Sequence, residues 1–404
     1  MNTIEDCAVF VQADAAGATP EGTRAKPYKT LQEAIDKAGG KRVYACTSAP
    51  FGEAVIVASG VEIYGGFDCA KEWAWKADAR SVLEGPADKI ALVLESSAGS
   101  VKVENFAIAS ASATKPGGSS IAVVVDKVTV DFVGCEITAG DGADGVAGKA
   151  YSNAAQAGVM GLDGGIACTA NNIFGGDAVS SLCGVIDSTS GLGGNGSTNS
   201  GGAGSPGDPG ITMNGGNGEN SMMSCSAGTK GDDGMLGNPG SGSVGLGTID
   251  KNGFTGVVGN EGTLGSAAQG GGGGGGAKGG VAADKCPAGM AGGASGGSGG
   301  SGGCGGAGGK GGSAGGSSIA LLSLDASLTF AGVTLTTGKG AKGGAGGLGQ
   351  EGGQGGAPGA GGKVPMGSIL NPACGGGPGG QGGKGGQGGG GLGGHAIGIA
   401  YVGA

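Results

Sequence analysis

Residues 119–148 read SSIAVVVDKVTVDFVGCEITAGDGADGVAG, and residues 317–346 read SSIALLSLDASLTFAGVTLTTGKGAKGGAG. The two stretches align without a gap and share 13 of 30 residues, including Phe132 with Phe330. Internal repetition indicates a structural unit that buries its apolar face by stacking on its neighbour. The repeat therefore predicts that the two stretches stack as equivalent coils, with Phe132 and Phe330 in a ladder inside the molecule.

The chain before residue 140 contains short runs of apolar and β-branched residues. Pairs of these runs recur roughly every 20 to 30 residues, which is the repeat size of a solenoid coil. A short helix is predicted just before them, because Thr30 and Glu33 have the spacing of a capping box and one apolar face follows. The predicted fold class is an all-β solenoid with a capping helix near its N-terminus. An immunoglobulin-type sandwich stays open as the alternative.

The stretch that begins at Pro27 carries a family resemblance. The run PYKTLQEAID…GGKRVYAC…FGEAVIVASGVEIYGGFD resembles the opening of right-handed parallel β-helix proteins of the pectin-lyase-like superfamily. The resemblance covers about residues 7–140 and returns over 317–340 and 394–404. It implies a right-handed parallel β-helix that a capping helix closes at one end. The whole arrangement is also similar to glycine-rich secreted proteins of myxobacteria.

Glycine supplies 108 of the 404 residues and follows a rule of three. It recurs at every third position from Gly340 to Gly361, broken only at Pro358, and again from Gly376 to Gly394. Three residues make one turn of a polyproline-II helix, and glycine on two sides lets neighbouring helices approach until their backbones pair. The glycine tracts therefore predict a polyglycine-II helical bundle, similar to that of snow-flea antifreeze protein. A flexible brush is the alternative.

The two tracts with the clearest period are expected to pair with each other. Residues 340–361 and 376–394 are predicted to lie side by side and antiparallel, joined by the turn from Lys363 to Cys374. Each is about 20 residues, roughly 60 Å long in this conformation. The predicted division of the chain is an N-terminal cap with coils (1–140), a glycine-rich insertion (141–316), a coil (317–338), a glycine-rich hairpin (339–393) and a final strand (394–404).

Composition disfavours several classes of partner. The net charge is −9, aromatic residues make up 4% of the chain, and no basic stripe is visible, so nucleic acid is a poor partner. No run approaches 18 apolar residues, so no membrane-spanning segment is expected.

The ten cysteines contain no CxxC pair, and His395 is the only histidine, which disfavours a zinc site. An even number of scattered cysteines favours disulfides and an extracellular or cell-surface location, with a reduced cytosolic protein as the alternative. A native leader is then expected to have been removed, and Met1 to be an added residue. The candidate disulfide cysteines are Cys7, Cys46, Cys69, Cys168, Cys183, Cys225, Cys286, Cys304 and Cys374.

Three pairings are expected among these cysteines. Cys46 and Cys69 should lie close enough to bridge, with Cys7 near them. Cys168 and Cys183 form the most plausible local pair. Cys304 and Cys374 are candidates to tie two glycine tracts together. Spacing alone does not determine the connectivity.

No catalytic or cofactor-binding constellation is visible, and no cofactor or metal is predicted. Aspartates such as Asp141, Asp144 and Asp163 lie in glycine-rich turns, where they are expected to bond to backbone rather than to calcium. Enzymes of the family named above use carboxylate-bound calcium with a basic residue, yet the predicted strands carry only mixed charges such as Lys102 and Glu104. Two aromatic residues, Trp73 and Trp75, are candidates for stacking on sugar rings.

These observations favour a non-enzymatic extracellular or cell-surface protein with a structural or adhesive role. It would present a rigid glycine-rich bundle from the β-helix. Ice binding is one alternative, and a β-helix carbohydrate-active enzyme or sugar-binding module is another. The partners considered are polysaccharide, other cell-surface material and ice, and the oligomeric state stays open.

Overall fold

The computed structural model describes residues 6–17, 19–58, 60–95, 100–282 and 285–403. The expectation that Met1 is an added residue concerns a position outside this part of the chain. Through residue 139 the described chain consists mainly of short strands. Longer glycine-rich segments follow it.

Twelve strands and one α-helix lie before residue 140 in the described chain. They are β1 (Ala8–Val11), α1 (Leu31–Asp36), β2 (Arg42–Cys46), β3 (Val55–Val57), β4 (Ile63–Asp68), β5 (Ala74–Trp75), β6 (Ser81–Gly85), β7 (Leu92–Leu94), β8 (Ser100–Glu104), β9 (Phe106–Ser110), β10 (Ser120–Asp126), β11 (Thr129–Val133) and β12 (Glu136–Ala139). A short 3₁₀ turn, Cys69–Lys71, separates β4 from β5.

The strands of the long insertion are only two or three residues long. They are β13 (Asn172–Ile173), β14 (Ser180–Ser181), β15 (Ser188–Thr189), β16 (Gly196–Ser197), β17 (Thr248–Asp250) and β18 (Gly253–Thr255). They form three antiparallel pairs, β13 with β16, β14 with β15 and β17 with β18. The last four strands are β19 (Ser318–Leu324), β20 (Ser327–Ala331), β21 (Thr334–Thr336) and β22 (Ala396–Val402).

The longer strands form three sheets that enclose one core. The seven-stranded sheet has the order β1-β2-β4-β8-β11-β20, with β5 antiparallel to β4. The five-stranded sheet has the order β22-β19-β10-β7-β3, and the four-stranded sheet β21-β12-β9-β6. The other strand pairs in these sheets are parallel. Apolar side chains from all three sheets meet in one cluster that includes Phe51, Phe106 and Phe132.

The two repeats pair strand for strand. β10, β11 and β12 lie parallel to β19, β20 and β21, and each paired residue is 198 positions from its partner, as Phe132 is from Phe330. The predicted register between the repeats is therefore confirmed. The expectation that both rings are internal is wrong for Phe330, which is 41% exposed because β20 is an edge strand.

The predicted helix is present as α1, and its cap is partly as expected. The hydroxyl of Thr30 accepts the N–H of Glu33 at 3.2 Å. The remaining free donors of the first turn are satisfied by Glu53, whose carboxylate accepts the N–H groups of Leu31 and Gln32 at 2.6 and 3.2 Å. A carboxylate from a distant turn thus joins the cap and ties the helix to the chain before β3.

Residues 293–316 lie at the centre of the glycine-rich segments. Their backbone bonds to six neighbouring stretches, at 143–165, 176, 191–197, 259–277, 341–362 and 374–392. The bonds recur at every third residue, as from Gly303 to Gly380 at 3.0 Å and from Gly306 to Gly383 at 2.9 Å. A Cβ on either donor glycine would collide with a neighbouring carbonyl oxygen, so the close packing requires glycine there.

The hairpin predicted near the C-terminus has the expected pairing. N–H groups of Gly376, Gly385 and Gly394 donate to carbonyls of Gly359, Gln350 and Ala341 at 3.0, 2.9 and 2.8 Å. The order of these partners is reversed along the chain. The antiparallel arrangement of 340–361 and 376–394 is therefore confirmed.

The predicted fold class is wrong. An all-β solenoid, made of a right-handed parallel β-helix and a polyglycine-II helical bundle, was expected. The described chain instead forms several separate sheets of mostly parallel strands, with helix confined to α1 and one 3₁₀ turn, and its glycine-rich segments contain no helix. A solenoid needs one unit stacked again and again. Here only the two repeats share a sequence pattern with one constant register, and the short runs before residue 140, from which the solenoid was also inferred, form strands of unequal length.

Candidate functional site: the loops at the far end of the glycine-rich segments

The glycine-rich segments that leave the sheets must turn back to return to them. Segments that start near residues 140 and 338 run away from the sheets, and those that end near 316 and 394 run back. The reversals farthest from the sheets are named the distal loops here. They comprise the described residues of 166–172, 197–200, 220–223, 281–290 and 363–373.

One disulfide joins two of the distal loops, and a second joins the segments that directly follow two others. Cys168 is bonded to Cys286, and Cys225 is bonded to Cys374. These bonds connect parts of the chain more than 100 residues apart, and such cross-links restrict the unfolded chain strongly.

Polar contacts complete the cluster. The carboxylate of Glu219 accepts the Lys278 N–H at 2.9 Å and the Asn371 side-chain amide at 2.7 Å. The side-chain oxygen of Asn171 accepts the Ala291 N–H at 3.0 Å. Another link comes from Ser197, whose carbonyl accepts the Gly279 N–H at 2.8 Å. The five loops therefore form one connected surface.

This surface is rich in exposed apolar side chains and poor in charge. Met222 is 90% exposed, and the other exposed large apolar residues are Ile166, Met223, Val281, Met290, Met366 and Ile369. The charged residues in the described part of the loops are Lys285 and Lys363. Methionine side chains are flexible and polarisable, and exposed methionine-rich surfaces adapt to partners of varied shape.

The cysteine pairings differ in part from those predicted. Cys46 is bonded to Cys69 as expected. The expected pair of Cys168 with Cys183 is wrong, and so is the direct link of Cys304 to Cys374, because Cys183 is bonded to Cys304. Cys7 and Cys135 are free thiols. Nearness in sequence was misleading because partners are brought together by segments that fold back.

The two tryptophans do not form a pair of accessible sugar platforms. Trp73 is buried and packs edge-on against Phe10, with ring centroids 4.9 Å apart. Trp75 is half exposed on β5, opposite Phe67 of β4. Only Trp75 has a ring that a sugar can reach, and sugar stacking there stays a prediction.

The acidic residues in the glycine-rich turns bond to backbone. Asp141, Asp144 and Asp163 accept the N–H groups of Lys339, Lys342 and Ala360 at 2.6, 2.8 and 2.7 Å. On the seven-stranded sheet, the Lys102 ammonium pairs with the Glu104 carboxylate at 2.6 Å. Among the described residues, no group of three or more His, Cys, Asp or Glu side chains is placed to hold a metal ion.

Comparisons with known proteins give no family assignment. No protein-family model, curated protein or solved structure matches the chain. Across the described ranges, no helix has the length and apolar character needed to cross a membrane. The four disulfides are compatible with a secreted protein, because such bonds persist in oxidising compartments.

Proposed function

We propose that this protein is a secreted or cell-surface adhesive protein whose distal loops contact its partner. The observation that carries the proposal is that the connected distal loops expose seven large apolar side chains. Binding residues are commonly placed on loops that a rigid scaffold positions. The glycine-rich segments serve here as that scaffold.

The scaffold favours binding in two ways. About 20 residues of extended chain separate the distal loops from the sheets, roughly 60–70 Å at the rise of an extended segment. The loops also lose little conformational freedom on binding, because bonds such as Cys168–Cys286 already restrain them. A stiff support that presents a pre-formed apolar surface suits adhesion to cell-surface material.

Ice binding and sugar-directed activity have less support. The face formed by segments 228–243, 341–362 and 374–394 carries ion pairs such as Lys384–Glu351 at 2.6 Å. Long charged side chains interrupt the flat rows of small residues on which the ice hypothesis depends. A carbohydrate role would rest on Trp75 alone. Thermal hysteresis and a polysaccharide-release assay test these two alternatives directly.

The experiment compares adhesion of variants coupled to beads, measured on whole cells and on an alkyl-coated surface. Replacing Met222 and Met366 together with lysine should reduce retained beads at least about tenfold, since charge is costly to bury against an apolar partner. The matched control is Ile211→Lys together with Met213→Lys, since these residues are 97% and 81% exposed but lie outside the distal loops. Equal adhesion by both variants would refute the assignment, and wild-type thermal hysteresis would favour ice binding instead.

A further inference from the structure

On one face of the segment 259–277, the residues change from glycine to larger side chains along the row. A Cβ on Gly270 or Gly273 would collide with carbonyls of the stretch 188–197, which packs directly against them. The preceding positions of the same three-residue row are Ala267 and Leu264. The neighbouring stretch stops before it reaches them. The stretch 188–197 therefore covers the segment only where the row consists of glycine. Beside Ala267 and Leu264 the row is left uncovered, which creates a step in the packing of the glycine-rich segments.

A cavity of about 410 Å³ lies at this step. Its walls include the apolar side chains of Val185, Ile186, Pro209, Met235 and Leu264, and none of its lining residues is charged. The volume falls within the range of about 300–1,000 Å³ typical of small-molecule sites.

The disulfide Cys183–Cys304 fixes one wall of the cavity against the central segment. Cys183 itself lines the cavity, and Cys304 precedes the lining residue Gly305. The turn that carries Val185 and Ile186 is therefore linked covalently to the central segment, in addition to any packing against it.

The floor of the cavity offers backbone donors. Where the stretch 188–197 covers the central segment, Gly296 and Gly299 donate their N–H groups to the carbonyls of Gly194 and Gly191 at 2.8 and 3.0 Å. Further along this row lies Gly305, whose N–H makes no hydrogen bond within the described chain. The same holds for the N–H groups of Leu264 and Ala267. These three residues are partly exposed, so their N–H groups are solvated in the free protein, and a ligand oxygen can replace that water as their acceptor.

We propose that this cavity binds a fatty acid, with the aliphatic chain against the apolar walls and a carboxylate oxygen at the N–H groups of the floor. Three features select this class together: uncharged apolar walls, donors without matching acceptors, and a volume suited to a small molecule. The site is separate from the distal loops, so the proposal does not depend on the adhesive function.

The test is calorimetric titration of the intact, disulfide-bonded protein with dodecanoate below its micelle concentration. One molecule is expected to bind per chain. Ile186→Asp and Met235→Asp, which place a carboxylate in walls from two different segments, should each weaken binding at least about tenfold, because the new charge faces the aliphatic chain and repels the ligand carboxylate. Leu182→Asp is the matched control, because Leu182 is exposed and adjacent to Cys183 but does not line the cavity.

Dodecylamine separates chain binding from recognition of the oxygen acceptor. It has the same chain and a cationic donor group, and it should bind more than about tenfold more weakly than dodecanoate. Equal affinity for the two ligands, or wild-type affinity in both wall variants, overturns the proposal. Dimerisation that the same variants abolish, measured by sedimentation, would identify a second copy as the occupant instead and also overturn it.

Discussion

The ring of Phe132 stacks on the ring of Phe330, with centroids 5.8 Å apart and planes inclined by 11°. The two residues are 198 positions apart and occupy the same place in β11 and β20. Phe132 is fully buried and Phe330 is 41% exposed. The stack therefore joins the core to its outermost strand, and its two members should contribute unequally to stability.

We expect Phe132→Ala to lower the free energy of unfolding by about 3–5 kcal/mol, the usual range for a buried phenylalanine. Phe330→Ala should lower it by about 1–2 kcal/mol, because Phe132 loses its stacking partner but the Phe330 ring is only partly buried. Denaturant unfolding with intact disulfides measures both. Phe174→Ala is the control, since Phe174 is 76% exposed and should be almost silent. Equal losses at Phe132 and Phe330 would contradict the unequal burial.

The repeat predicts the strand register because a fixed offset of 198 relates the paired residues of its three strands, as Ile121 pairs with Ile319. The same repeat misled on fold class, since two copies do not establish a continuing series. Period-three glycine predicts that segments pack closely, but it carries no information on which segment is whose neighbour. That order depends on six-fold packing around residues 293–316.

Of the distal loops only the turn at 363–373 was predicted, and their clustering was not, because it depends on that packing order. Cys168 and Cys286 meet only when the segments between them fold back. One sequence signal was present: large apolar residues such as Met222 and Met366 stand in stretches without glycine periodicity. Large apolar residues at a chain reversal, rather than within a glycine tract, could have indicated that the loops form an exposed apolar surface.

Valine in place of Gly382 or Gly385 should disrupt the packing of the glycine-rich segments. A Cβ at these positions would collide with the carbonyl oxygens of Cys304 and Ala307 in the central segment. These carbonyls accept the N–H groups of Gly353 and Gln350, each at 2.9 Å, so they cannot move away without losing those bonds. We expect protease cleavage within 340–394 to become at least about tenfold faster, as protection falls with local stability.

The control for these substitutions introduces the same residue on the outer face of the same segment. Gln387 is exposed, so Gln387→Val should leave cleavage near the wild-type rate. Lys384→Ala removes only a surface ion pair with Glu351, which is worth about 0–1 kcal/mol. Equal protection in Gly385→Val and Gln387→Val would show that glycine is not required at the contact.

The side chain of Asn214 bonds to the backbones of two glycine-rich segments and fills the place that another segment would occupy. Removing it should lower the stability of the protein. Asn214 is 2% exposed; its side-chain oxygen accepts the Gly207 N–H at 3.0 Å, and its amide donates to the Gly270 carbonyl at 2.9 Å. Asn214→Leu leaves both partners buried and unpaired, at about 1–3 kcal/mol each. Amide hydrogen exchange at Gly207 should accelerate. Asn199→Leu, on the exposed loop 197–200, is the control and should leave that exchange unchanged.

Thiol labelling tests the disulfide pattern and the burial of Cys135 together. Cys7 is exposed, whereas Cys135 is fully buried, and burial raises the pKa of its thiol to about 11. At pH 8 only about one Cys135 in a thousand is then a thiolate, the form that reacts. The native protein should therefore incorporate one maleimide, at Cys7, and the denatured protein two.

Reduction before denatured labelling should release all ten thiols. Mass spectrometry of the unreduced digest should show Cys183 linked to Cys304 and Cys168 to Cys286. A peptide in which Cys168 is linked to Cys183 would contradict the folded-back arrangement that places the distal loops together. Rapid native labelling of Cys135 would contradict its place in the core, because a thiol under β11 and β12 is reached only when those strands separate.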